Sequence, residues 1–187
     1  MVTESSHSQL TRRSFLIHST QALIGLATIS VPDLCLAKIP EKRTLSLYHA
    51  RAQKALTLTY ANGKQYNPKA LARINSFLRD YQTGQVHRID PKLLDILWAV
   101  QREIGSKGVF KVVSAFRSPQ TNRQLRRAKS GVASHSLHME GRAVDIQFSG
   151  ADLGQIRRCA MDLQTGGVGF YPKSNFVHLD SGDYRTW

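Results

Sequence analysis

The sequence predicts an α+β fold in which helices cover one face of a small, mainly antiparallel sheet and a polar cleft occupies the other face. Three observations lead there. Two late segments, Ala143–Phe148 and Phe176–Asp180, alternate apolar and polar residues with period two, as half-buried strands do. Two mid-chain segments carry apolar residues at helical spacing, each opened by a good N-cap residue before a proline, Asn67-Pro68 and Asp90-Pro91. The length, 187 residues, allows one domain with a sizeable core.

The chain begins with Arg12-Arg13 directly before Ser14-Phe15-Leu16, then a mildly apolar run, Ala22 to Val31, that stops at Pro32. The run is shorter than the ~18 apolar residues needed to span a membrane, so residues 1–37 read as a twin-arginine signal peptide and the destination as the periplasm. Cys35-Leu36-Ala37 resembles a processing site, which starts the mature chain near Lys38. Thr44–His49 and Ala55–Tyr60 alternate as two strands and Asn62-Gly63 supplies a turn, so residues 38–66 are expected to be an N-terminal β-ribbon laid on the domain. Residues 67–187 then form the main domain. Its first helix presents Leu71, Ile74, Phe77, Leu78 and Tyr81 to the core, and its second Leu93, Leu94, Leu97, Val100 and Ile104. Val109–Ser114 is the first strand of the sheet, Gln120–Lys129 a basic helix, and Leu153–Leu163 a helix with Ile156, Cys159, Ala160 and Leu163 on one face.

The formal net charge is +13, and loss of residues 1–37 leaves it unchanged because two arginines and two acids depart together. So basic a surface draws a polyanion. After cleavage Cys159 is the one remaining thiol, which excludes an intramolecular disulfide. Gly166-Gly167-Val168-Gly169 lacks the strand–turn–helix context and the lysine of a phosphate loop, and its glycines are expected to let the backbone pass close to substrate.

Period two also sorts the late strands by face. Val144, Ile146 and Phe148 share one side and Asp145 the other; Val177 and Leu179 oppose Phe176, His178 and Asp180. If the two strands are neighbours, Asp145 and His178 look into one cleft. His138 arrives from Ser136–Asp145, S-L-H-M-E-G-R-A-V-D, where Gly141 and Ala143 are expected to leave room for the approach. His, Asp and His suit a borderline divalent metal that keeps a position free for water, which points to zinc and metal-assisted hydrolysis.

The pattern S-x-H-x-x-G-x-A-x-D with a late histidine resembles the zinc peptidases of bacterial cell walls, a group with the D-alanyl-D-alanine metallopeptidases, the lysostaphin-type enzymes and the hedgehog fold. Ser114–Asn122, Gly166–Pro172 and Phe176–Trp187 resemble its murein endopeptidase branch with a twin-arginine leader, over essentially the whole chain. The resemblance implies zinc held by His138, Asp145 and His178, a cleft built on the free sheet face, and Arg117 anchoring a substrate carboxylate or developing oxyanion. Ser136 and Asn122, inside those motifs, are expected substrate contacts. It implies peptidoglycan as the partner rather than nucleic acid, with a monomer as the default state. Asn175 and Phe176 stand where many relatives carry a Glu three residues, or a His two residues, before the last ligand. Asp180 is the expected substitute, either taking the proton from water or orienting a ligand imidazole; His135 and Glu140 are the other carriers nearby. The competing readings are a non-catalytic wall-binding module with a degenerate site and a D,D-carboxypeptidase.

Overall fold

The computed structural model describes residues 41–128 and 131–187. The leader read over residues 1–37, with Arg12, Arg13 and Cys35, lies outside the described residues, as does Lys129 of the expected basic helix.

Eight strands form one sheet in the order β3-β2-β1-β4-β5-β7-β6-β8. They are β1 (Lys42–His49), β2 (Lys54–Asn62), β3 (Gln65–Tyr66), β4 (Phe110–Ser114), β5 (Ala143–Phe148), β6 (Gly167–Tyr171), β7 (Phe176–Asp180) and β8 (Arg185–Thr186). The helices are α1 (Pro68–Phe77), α2 (Pro91–Ile104), α3 (Pro119–Ala128) and α4 (Leu153–Leu163), with a short 3-10 turn at Leu137–Glu140. Neighbouring strands are antiparallel except β1 with β4 and β6 with β8. The sheet is mixed α+β in the expected sense but larger than expected, because β1 runs beside β4 with Leu47 opposite Phe110 and His49 opposite Val112. The N-terminal hairpin is therefore an integral edge of the sheet rather than a ribbon laid upon the domain, and the described residues form one compact unit.

The helices start where the sequence places them. Asn67 accepts hydrogen bonds from the backbone N–H groups of Lys69 and Ala70, Asp90 accepts from Lys92, and a proline occupies the first turn of each helix. Gly105, at φ 71°, ends α2 in the left-handed region. Leu93, Leu94, Leu97 and Val100 of α2, with Ile156 and Ala160 of α4, are buried together with Leu45, Leu47, Phe110, Val112, Val144, Ile146, Val177 and Leu179 of the sheet. Each large aliphatic side chain removed from water in this way stabilises the fold by roughly 1.5–3 kcal/mol.

One expectation fails here. Tyr81 is 49% exposed and not core, because α1 ends at Phe77 and the apolar stripe has no helix to carry it further. The basic helix α3 buries only Thr121 and Asn122 and borders the cleft through Leu125. Among the described residues no helix is long and apolar enough to cross a membrane.

Candidate metal centre and its cleft

The antiparallel register of β5 and β7 sets Asp145 directly opposite His178. His138 enters from the 3-10 turn Leu137–Glu140, which Gly141 ends at φ 66°. A Cβ on Gly141 would lie 2.2 Å from the carbonyl oxygen of Arg88. The glycine thus leaves room for the Arg88 backbone, and the expectation that it makes space around a metal is corrected.

The three side chains converge. Asp145 Oδ1 lies 3.2 Å from His138 Nε2 and 2.9 Å from His178 Nδ1, and the two ring nitrogens are 3.3 Å apart. The far side of each ring is also tied. His138 Nδ1 is 2.7 Å from the carbonyl oxygen of Ala115, which can only accept, so that nitrogen carries the proton and Nε2 presents a lone pair. His178 Nε2 is 3.1 Å from Asp180 Oδ2, which likewise turns the Nδ1 lone pair inward. Two imidazole lone pairs and a carboxylate oxygen, buried and facing one another, call for a cation between them. Their ligand atoms all lie within 4.8 Å of one another. Burial pushes the His138 pKa down, Asp145 only partly opposing it. His178 is also penalised by burial, but the neighbouring carboxylates of Asp145 and Asp180 favour its charged form and hold its pKa above the ordinary histidine value. Asp145 is held far below the carboxylate range although burial opposes this, because His138, His178 and Arg117 surround it.

Arg117 turns towards the centre from the end of β4. Its guanidinium donates to Asp145 Oδ2 at 2.5 Å and its Nε to Ser114 Oγ at 2.9 Å. The expected substrate cation is thus also the clamp on the second carboxylate oxygen, while still lining the cleft.

Asp180 is 0% exposed. Its Oδ2 accepts from His178 Nε2 and from Arg185 at 2.6 Å. Its Oδ1 accepts from the N–H of Gly167 at 3.1 Å, from the N–H of Gly182 at 2.9 Å and from Arg185 at 3.1 Å. Burial alone would raise its pKa; the hydrogen bonds of His178, Arg185 and the two glycines overcome that and lower it. A carboxylate so encased and so hard to protonate has the environment of an orienting group, and the geometry disfavours the expectation that it takes a proton from water.

The cleft above the centre holds about 470 Å³. Ser136 and His135 line it, as expected of residues near the motif, whereas Glu140 pairs with Arg142 at 3.1 Å and does not. Asn122 is a correction. It is 2% exposed and donates through Nδ2 to the carbonyl oxygen of Ala133 at 3.1 Å, bracing the loop that forms the cleft wall instead of facing substrate. The glycines before and within β6 are a second correction. A Cβ would meet Asp180 O at 1.8 Å from Gly166, Asp180 Oδ2 at 2.3 Å from Gly167, and the Trp187 indole at 2.7 Å from Gly169. They make room for β7 and for Trp187, not for substrate.

Sequence reasoning missed Arg185 and Trp187. Arg185 grips Asp180 and lies with its guanidinium carbon 5.0 Å from the Trp187 ring centre. Trp187 in turn sits 5.3 Å from the His178 ring and donates from Nε1 to the Tyr171 hydroxyl at 2.6 Å. No periodicity marks the last residues; only the parallel pairing of β8 with β6 brings them to the cleft.

A buried His–Asp–His trio at the floor of an open cleft offers the kind of three-ligand donor set that metal-assisted hydrolases use. A family model described as peptidoglycan L,D-endopeptidase MepK matches residues 37–187, and the chain belongs to that peptidase family. It is 36% identical over 176 residues to the peptidoglycan L,D-endopeptidase MepK of Escherichia coli, covering 94% of this chain and 96% of that one. It is 33% identical to a probable peptidoglycan L,D-endopeptidase MepK of Haemophilus influenzae, covering 88% and 89%. Among solved structures, the Serratia marcescens L-Ala D-Glu endopeptidase ChiX matches 60% of this chain and 86% of its own at 19% identity, with a TM-score of 0.39.

Proposed function

We propose that this protein is a zinc-dependent peptidoglycan endopeptidase that cuts peptide cross-links of the cell wall in the periplasm. The observation that carries the reading is the convergence of His138 Nε2, Asp145 Oδ1 and His178 Nδ1, each ring fixed from behind, in a member of a family whose relatives are called peptidoglycan L,D-endopeptidases. Zinc held by these three residues would supply Lewis acidity at a scissile carbonyl and acidify water beside it. The remaining work belongs to the chain's own groups. Asp180 and the Ala115 carbonyl hold the two imidazoles in their tautomers, and Arg117 holds Asp145 while offering positive charge to an anionic group in the cleft. Asp180 is assigned the orienting role. The proton acceptor is assigned to His135, the titratable imidazole outside the metal trio that lines the cleft. Ser136, on the same wall, is the assigned substrate contact.

Export by the twin-arginine route rests on Arg12-Arg13 before Ser14-Phe15-Leu16. Replacing both arginines by lysine is expected to hold the precursor in the cytoplasm, and normal periplasmic delivery of that variant would reject the route.

The test of activity is digestion of purified murein with and without a chelator, read by mass spectrometry of the released muropeptides. Chelation is expected to abolish product and zinc to restore it. In the same assay His135→Ala is expected to keep zinc and lose on the order of 100-fold in turnover. Equal digestion with and without chelator would end the metallopeptidase reading, and wild-type turnover in His135→Ala would remove the base assignment alone.

A further inference from the structure

Where β1 and β4 end side by side, a second cavity of about 40 Å³ opens next to the metal cleft. The two spaces share Arg117, Ser114 and Leu125 as a common wall. Arg51, in the β1–β2 turn, borders both, and Arg79, just beyond α1, borders the smaller one. Neither guanidinium belongs to an ion pair among the described residues. The acid in the cavity wall, Asp80, is already engaged. Its Oδ2 accepts from the N–H of Ser118 at 2.7 Å, and its Oδ1 from those of Gln82 and Thr83 at 2.8 and 3.3 Å.

The turn that carries Arg51 is fixed. His49, 5% exposed, accepts from the N–H of Ala52 at 3.2 Å, and the N–H of Ala50 donates to Val112 at 3.0 Å. Burial, then Arg79, then Arg51 push the His49 pKa down, so the ring is disfavoured from adding to the positive charge of the wall. Asp80 places one negative charge in this wall, and the Arg51 and Arg79 guanidiniums, of which Arg79 also donates to the Ser76 carbonyl at 2.9 Å, exceed it by one, an imbalance that a further anion offsets. At about 40 Å³ against about 470 Å³ for the metal cleft, the cavity suits a single small group rather than a length of the polymer. Tyr81, unexpectedly exposed, stands at its rim, 5.6 Å from the His49 ring.

We propose that the Arg51–Arg79 cavity is a subsite for a free carboxylate of the peptide stem, held away from the bond that is cut. This rests on the peptidase reading above and gives the N-terminal hairpin a part in substrate selection. Besides the carboxylate at its C-terminus, the stem offers two such groups along its length, the α-carboxylate of a γ-linked D-glutamate and the side-chain carboxylate of diaminopimelate, and guanidinium recognition is common to both.

Binding of non-hydrolysable stem tripeptides to the full chain, measured by titration calorimetry, tests it. All carry an amidated C-terminus, and three probes are used: both remaining carboxylates free, the glutamate carboxylate amidated, and the side-chain carboxylate of diaminopimelate amidated. Amidating one of them is expected to weaken binding to the wild type by about tenfold, which also identifies the group that is read. The Arg51→Gln/Arg79→Gln double variant is expected to bind the free acid as weakly as the wild type binds that amide. Arg51→Gln alone, on an exposed turn, is expected to give a partial loss and guards against misfolding of the double variant. Equal affinity of the wild type for all three probes, no measurable binding of any of them, or undiminished discrimination by the variants would each overturn the subsite. A wild type that discriminates the amides yet releases no muropeptide removes the peptidase reading and keeps the subsite. One that digests murein without discriminating does the reverse.

Discussion

Two sets of cross-strand polar pairs occupy the same face of the sheet. In the hairpin, Thr44 and Thr59 meet at 2.8 Å and Thr57 donates to Ser46 at 3.0 Å; between β5 and β7, Asp145 faces His178 at 2.9 Å. Both sets alternate with core residues, Leu45 and Leu47 in β1, Val144 and Ile146 in β5. Their fates differ because of what covers them. The hairpin hydroxyls stay in contact with water, and a hydrogen bond between them replaces bonds to solvent for little net gain. Asp145 is covered by His138 and Arg117 and is 3% exposed, so every lone pair must be answered from within the protein. Period two selects the face of the sheet, and the loops above it select the chemistry.

The sharpest way to break this contrast is to remove the buried member. Asp145→Ala leaves Arg117 without its carboxylate and two imidazoles without a third ligand. Zinc, expected at about one per chain in the wild type, should fall to a trace by elemental analysis, with digestion reduced by more than about 100-fold. Stoichiometric zinc in this variant would remove Asp145 as a ligand.

Asp180→Asn probes the layer behind. It keeps the shape but weakens the grip on His178 Nε2 and on Arg185, so zinc affinity measured by chelator competition is expected to fall 10- to 100-fold. Turnover restored fully by excess zinc would agree with an orienting role. Unchanged affinity with lost turnover would instead return Asp180 to the role of proton acceptor.

Asp80 extends the comparison to a buried carboxylate with no metal chemistry. Burial opposes its ionisation, but hydrogen bonds from Ser118, Thr121 and the backbone prevail and bring its pKa down to about 2 from 3.8. A depressed native pKa stabilises the fold above the unfolded value and the contribution fades as pH falls through about 2. The stability difference between wild type and Asp80→Asn in urea melts should therefore be largest above pH ~4 and shrink towards pH ~2. A difference that does not change with pH would show that the hydrogen bonds matter and the charge does not. The smallest effect is expected from the exposed pair: Thr57→Val should alter stability by less than about 0.5 kcal/mol and leave zinc content unchanged.

How much of this was legible in the sequence follows from how local each cause is. The caps Asn67 and Asp90, the strands around Asp145 and His178, and the facing of those two residues depend on neighbours within a few positions, so pattern reading found them. The parallel joining of β1 to β4 depends on Leu47 meeting Phe110, and no local pattern marks it. The same is true of Asp180, whose strand face was readable but whose five donors come from Gly167, His178, Gly182 and Arg185. Gly141 and Asn122 were singled out correctly as unusual but assigned the wrong neighbour, since Arg88 and Ala133 approach them only in three dimensions.

Trp187 gives the molecule a built-in optical reporter. The chain has two tryptophans, and the other, Trp98, belongs to α2 on the helical side of the sheet, with Arg102 above its ring at 4.8 Å. Trp187 rests on Gly169 with its ring 5.3 Å from that of His178, so any change in what His178 holds alters the surroundings of one indole and spares the other. The part of the emission that comes from Trp187 is therefore expected to change as metal is titrated into the centre, against a constant part from Trp98, without label or substrate.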